Sequence, residues 1–200
     1  ILAQKLLRRN HPPTTSSKKN VKKNDNHNKS GGGGGGGREG NDKGVVVRGE
    51  PLRKIAILDV DYHAGNGTAA VFWSDPDVLV ATIHADPNFD YPWNSCFADD
   101  VGGGAGVGAT LCLPLPPGAL WGEYEAALRT ALDAVASHGT QLLIVSLGLD
   151  THDDDPVQEK ATAGMALGLE DYKKLGTIIA EMGLPVVFVQ EGGYRIEVAG

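Results

Sequence analysis

An open, mostly parallel α/β sheet flanked by helices is the fold this sequence predicts. Two observations predict it: short unbroken apolar runs that end in polar residues, and amphipathic helical stretches between the later runs. The first run, Ile55-Ala-Ile-Leu-Asp-Val60, has the continuous apolar character of a strand buried on both faces of a parallel sheet. Val78–Ile83 repeats it, and Ala109-Thr-Leu-Cys-Leu113 is strand-like. Residues Trp121–Ser137 then carry Tyr124, Leu128, Leu132 and Val135 at helical spacing, and Gln141–Leu147 returns to a strand. A second helix is predicted over Leu169–Met182 from Tyr172, Leu175, Ile178 and Ile179, followed by a strand over Pro185–Gln190.

In open α/β sheets chemistry collects beyond the carboxyl ends of the strands. The four continuous runs are followed by Asp61-Tyr-His63, His84-Ala-Asp86, Gly-Leu-Asp150-Thr-His152 and Glu191-Gly-Gly-Tyr194. Each strand thus delivers ligand-capable side chains to one edge, which marks a site.

The 200 residues divide into two unlike polymers. Residues 1–50 hold 11 Lys/Arg against four acids, a formal +7, and include seven consecutive glycines from Gly31 to Gly37. Such a stretch is too polar to bury and too flexible to order, and it is expected to be a disordered basic, Gly-rich segment. Its Lys18-Lys19 and Lys22-Lys23 pairs read as solvated linker, with a nuclear-import or acidic-partner signal as the alternative.

Residues 51–200 hold the remaining 7 basic and 21 acidic residues, a formal −14. That balance argues against a phosphate-tracking surface and suits cationic substrates or divalent ions. Cys96 and Cys112 form no CxxC pair and read as reduced thiols of an intracellular protein, nuclear or cytoplasmic. No run of about 18 apolar residues is present, so no membrane span is expected. The opening Ile-Leu-Ala-Gln lacks an initiating Met, and the chain is expected to be a fragment or a conceptual translation.

Asp59, Asp61 and His63 alternate with Val60 and Tyr62, so an extended backbone puts all three side chains on one side. Crowded carboxylates repel unless a cation lies between them, and Asp with His is an oxygen–nitrogen donor set suited to zinc. Asp150 would complete three protein ligands and leave a position open for water, the catalytic arrangement. Taken alone, Asp-x-Asp-x-His also describes a loop of satisfied acids; Asp150 and Tyr194 at the same edge count against that.

The segments Asp59-Val-Asp-Tyr-His-Ala-Gly-Asn-Gly-Thr68, Ser146-Leu-Gly-Leu-Asp-Thr-His-Asp-Asp-Asp-Pro156 and Glu191-Gly-Gly-Tyr194 closely resemble the signature segments of the histone deacetylase and acetylpolyamine amidohydrolase family. The resemblance runs from about Leu52 to Arg195 and leans toward the class II and polyamine branch. It implies an arginase/deacetylase-like fold, here an incomplete domain over residues 51–200, and zinc-dependent hydrolysis of the acetyl amide of acetyl-lysine or acetylpolyamine.

By position, the resemblance assigns zinc to Asp61, His63 and Asp150. It makes Asp59 a carboxylate that orients a catalytic histidine and helps hold a structural potassium ion. The backbones of Asp61 and His63, together with Thr82 and Ile83, would share that potassium. Tyr194 would donate its hydroxyl to the developing oxyanion. Gly192 and Gly193 would let the backbone pass close to substrate, and Tyr91 would line the acyl tunnel. Asn66 matches a residue that orients the second histidine of a tandem pair, although an Asn-Gly turn explains it equally. His84 and His152 are expected to be hydrogen-bonded structural residues.

Two departures stand out. The family's tandem His-His precedes the first metal motif, whereas His11, His27, His63, His84, His138 and His152 include no adjacent pair. A general base contributes about 10²–10⁴-fold, so a site without one is expected to turn over poorly. The residue after His63 is usually another His and here is Ala64. A truncated product of an active enzyme is the favoured reading, and an inactive pseudoenzyme acting as an acetyl-lysine or metal-binding module is the alternative. A dinucleotide site on Gly102–Gly108 is rejected, because those glycines neither follow a buried strand nor open a helix.

Overall fold

The computed structural model describes residues 51–158 and 164–195. The unstructured stretch expected over residues 1–50 lies outside the described residues, as do 159–163 and 196–200 of the expected domain.

Five strands form one parallel sheet: β1 (Ile55–Asp59), β2 (Val78–Ala85), β3 (Thr110–Leu115), β4 (Leu142–Leu147) and β5 (Val186–Gln190), in the order β3-β2-β1-β4-β5. Three helices connect them: α1 (Asn66–Phe72), α2 (Trp121–His138) and α3 (Leu169–Ala180). Strand alternation divides the core into two layers. Ala56, Leu58, Leu79, Ala81, Leu143 and Val145 face α2 and α3, whereas Ile55, Ile57, Val78, Val80 and Ile144 face Ala69 and Phe72 of α1. β1 is central, so its run is buried throughout, as a strand with neighbours on all sides must be.

Helix α2 begins where the Glu123 carboxylate accepts the Leu120 N–H at 3.0 Å, and it ends at Gly139, whose φ of 75° requires the left-handed region. Leu128 on this helix is fully buried against the sheet. Leu128→Ala is expected to lower unfolding stability by about 2–5 kcal/mol, measured by urea denaturation.

The structure adds to and corrects the sequence reading in three places. Helix α1 was not expected, because seven residues containing Gly67, Thr68 and Val71 carry little helical propensity or periodicity. Strand β2 runs two residues past Ile83, so His84 lies inside the strand, fully buried, rather than beyond it. Strand β5 is not buried on both faces. It is an edge strand with only β4 as its partner among the described residues, and Val187, Phe188 and Val189 stay 39%, 50% and 38% exposed.

The glycine-rich segment makes a single 3₁₀ turn at Gly104–Gly106. A Cβ at Gly103 would overlap the Trp73 indole, and one at Gly106 would overlap the Trp73–Asp75 backbone. Close packing against the end of α1 thus explains these glycines. Among the described residues, no helix is long and apolar enough to cross a membrane.

Candidate metal centre

Parallel register fixes the site. Asp59, the last residue of β1, is level with Thr82 on β2 and Ser146 on β4, so the segments leaving β1 and β4 emerge side by side. Hydrogen bonds then lock the β1 exit: Asp61 N–H donates to Asp59 Oδ1 at 3.1 Å, and His63 N–H donates to Asp61 Oδ1 at 2.9 Å. Tyr62 N–H crosses to the β4 exit and donates to Asp150 Oδ1 at 3.0 Å. Asp61, His63 and Asp150 consequently each bring a ligand atom within 4.8 Å of the others.

Three observations fit a cation at this point. The Asp150 carboxylate is 1% exposed, and its Oδ2 has no hydrogen-bond partner among the described residues, a costly state for a buried acceptor. Burial pushes the Asp150 carboxyl up to about 7, with the Asp61 charge adding to the rise, and pushes Asp59 up to about 8, with Asp61, Glu191 and Asp150 adding there. Finally, the backbone withdraws to leave the carboxylates room. A Cβ at Gly192 or Gly148 would overlap carboxylate oxygens of both Asp61 and Asp150, and one at Gly65 would overlap Asp59. Gly192 therefore backs the carboxylates, a role the sequence reading did not give it, and Gly148 was not singled out there.

A cavity of about 350 Å³ opens over this group, bordered by Asp59, Asp61, His63, Asn66, Glu191 and Tyr194. Tyr194 is 56% exposed at its edge. Its segment is held by Asp155, whose Oδ2 accepts the Tyr194 and Arg195 N–H groups at 2.7 and 3.2 Å. Asp155 is 2% exposed, and only the tertiary fold reveals this anchoring role. Gly193 adopts φ 121°, reserved for glycine, and packs on Leu149. Tyr91 is half exposed, sets its ring edge-on to His63 at 5.8 Å and accepts a hydrogen bond from Asn66 Nδ2 at 3.2 Å. Asn66 itself opens α1 rather than forming a free turn.

Thr82 and Ile83 are fully buried behind Asp59. The Thr82 hydroxyl accepts the Gly65 N–H at 3.2 Å and lies 3.1 Å from His84 Nδ1, while His84 Nε2 lies 2.9 Å from the Cys96 carbonyl. The Thr82 carbonyl also lies 3.2 Å from Nδ1, so each ring nitrogen faces a backbone acceptor. Burial holds His84 below the usual histidine range, and it is a neutral structural bridge. His152 stacks on Tyr172, interplanar angle 3°, and contacts Asp153 at 2.9 Å. With Asp153 and Asp154 it forms a more exposed acidic group away from the cavity lining.

Residues 45–200 match the family model described as histone deacetylase domain. Acetylpolyamine amidohydrolase 1 of Pseudomonas aeruginosa is 43% identical over 148 residues, 74% of this chain and 41% of that protein. The acetylpolyamine amidohydrolase of Mycoplana ramosa is 40% identical over 151 residues, 74% of this chain and 42% of that protein. Among solved structures, an acetylpolyamine aminohydrolase from Burkholderia pseudomallei superposes with a TM-score of 0.69 at 35% identity, covering 74% of this chain and 42% of the other. The chain thus spans about two fifths of the length of these relatives.

Proposed function

Because this chain belongs to the histone deacetylase domain family, we propose that its protein is a zinc-dependent amidohydrolase that releases acetate from an acetylated amine. An acetylpolyamine is the favoured substrate and acetyl-lysine the second. The observation that carries this reading is the buried, unpartnered Asp150 Oδ2 facing Asp61 and His63. The polyamine preference rests on the relatives named above and on the acidic balance of residues 51–200, formal −14.

In this reading Asp61, His63 and Asp150 hold zinc, which supplies Lewis-acid polarisation of the acetyl carbonyl and activation of the attacking water. Asp155 fixes the Tyr194 backbone at the cavity edge, and the Tyr194 hydroxyl donates to the oxyanion as it develops. Tyr91 supplies an aromatic wall at the rim, beside His63. Asp59 accepts a hydrogen bond from the imidazole that carries the proton, which the family resemblance assigns to a tandem His-His absent from these 200 residues. Asp59, Thr82 and Ile83 are also the potassium-binding residues of this reading. A carboxyl pushed up to about 8 beside Asp61 gains from a counter-cation.

Acetate release from an acetylated diamine and from an acetyl-lysine peptide, with zinc supplied, tests the proposal. Release is expected from the diamine at the higher kcat/KM, and Tyr194→Phe is expected to lower kcat by about 10²–10³-fold, the cost of one lost oxyanion donor. Asp155→Ala is expected to lower kcat toward the roughly 10²-fold that a 1 Å misplacement costs, with zinc content unchanged by elemental analysis. Folded, zinc-loaded protein that releases no acetate would leave a non-catalytic metal- or acetyl-lysine-binding module.

A further inference from the structure

His63 is the single nitrogen donor of the candidate metal group, and its two ring nitrogens face different carboxylates. Nδ1 lies 3.8 Å from Asp61 Oδ1, on the side of the metal group, whereas Nε2 lies 3.9 Å from Asp90 Oδ1. Asp90 is 5% exposed and is held from two directions. Its Oδ2 accepts the Tyr62 hydroxyl at 2.9 Å, and its Oδ1 accepts the Tyr91 N–H at 2.7 Å. Tyr62, itself 1% exposed, immediately precedes His63, and the Tyr91 ring stands edge-on to the imidazole. One carboxylate therefore ties the metal-bearing segment to the aromatic rim.

The chemistry follows from donor and acceptor inventories. A neutral imidazole has one N–H and one lone pair, and a carboxylate offers acceptors only. Nδ1 also faces a carboxylate, Asp61 Oδ1, but a cation held there by Asp61 and Asp150 requires a lone pair, so with the metal bound the proton belongs on Nε2, facing Asp90. The 3.9 Å separation exceeds hydrogen-bond length by about 1 Å, so Asp90 faces Nε2 without a direct hydrogen bond, and the imidazole must move toward it for one to form.

We propose that Asp90 is a positioning residue that sets the His63 tautomer and ring orientation, presenting Nδ1 to the metal while it holds Tyr91 at the rim. The proposal rests on the zinc reading above. It acts on the metal group through His63: Asp90 is neither one of the three candidate ligands nor one of the residues bordering the cavity. A carboxylate on the second nitrogen of a metal-binding histidine raises ligand basicity, and its loss typically costs about 10–100-fold in metal affinity.

Zinc affinity, measured by competition with a chromophoric chelator, separates this role from simple bracing. Asp90→Asn is expected to weaken zinc binding by about 10–100-fold, whereas Tyr62→Phe, which removes the brace and keeps the charge, is expected to stay within about threefold of wild type. Equal affinity of Asp90→Asn and wild type, or equal weakening by the two substitutions, overturns the proposal. A wild-type protein that takes up no zinc overturns the metal reading itself, an outcome visible before any variant is made.

A second measurement does not depend on a variant folding. Nitrogen-15 NMR of the zinc-loaded wild-type protein is expected to show His63 protonated on Nε2; a predominant Nδ1–H tautomer contradicts the proposal.

Discussion

Asp150→Asn is expected to abolish zinc retention and to lower acetate release by more than the roughly 10²–10³-fold that one lost oxyanion donor costs. Yet it leaves the metal-free protein at least as stable as wild type. The two effects have one cause. Asp150 is a buried carboxylate that receives Tyr62 N–H on Oδ1 and, among the described residues, nothing on Oδ2, with Asp61 close by. In the proposed reading it is a zinc ligand; without zinc its ionised form is an uncompensated buried charge. Asparagine keeps an oxygen for the Tyr62 N–H, removes the charge and is a poor zinc ligand. A variant that was merely misfolded would lose stability together with zinc. Thermal unfolding in chelator, paired with elemental analysis of zinc, tells these outcomes apart.

The second large effect is a pH dependence that zinc reverses. Burial raises the Asp59 carboxyl to about 8 and the Asp150 carboxyl to about 7, from an ordinary value of 3.8. The unfolded chain releases these protons near pH 4, and the folded metal-free protein keeps them to pH 7–8. Stability is therefore fully present below about pH 4 and falls as pH rises toward 8, by up to about 1.4 kcal/mol per pH unit for each group over its own interval. In the proposed reading, zinc at Asp150 and potassium at Asp59 would favour the ionised forms and offset the loss. Urea midpoints of chelator-treated protein should fall from pH 5 to pH 8, while those of zinc-loaded protein should hold or rise; parallel curves would contradict the electrostatic account.

Much of this site was legible because parallel sheets gather chemistry at one edge. Asp59, Asp61, His63 and Asp150 were readable as a donor set from alternation and from the ends of apolar runs, and the fold places the last three within 4.8 Å. Local pattern also gave five strands and two helices to within two residues at each end. What escaped notice depended on tertiary contact. Gly148 matters because a Cβ there would strike two carboxylates from different segments, and Asp155 matters because it grips Tyr194 N–H across 39 residues. Asp90 belongs to no motif, and its meaning comes from the Tyr62 hydroxyl reaching it 28 residues away. Helix α1 lacked periodicity, and the exposure of β5 follows from strand order, which hydrophobicity alone does not encode.

The most direct test is acetate release from an acetylated diamine by protein stripped of metal with a chelator and then titrated with zinc. The account predicts no release after stripping, full recovery at about one zinc per chain, and no recovery in Asp150→Asn at the same zinc concentration. Undiminished release from the stripped protein, or equal recovery in Asp150→Asn, would contradict a hydrolytic zinc centre built on Asp61, His63 and Asp150.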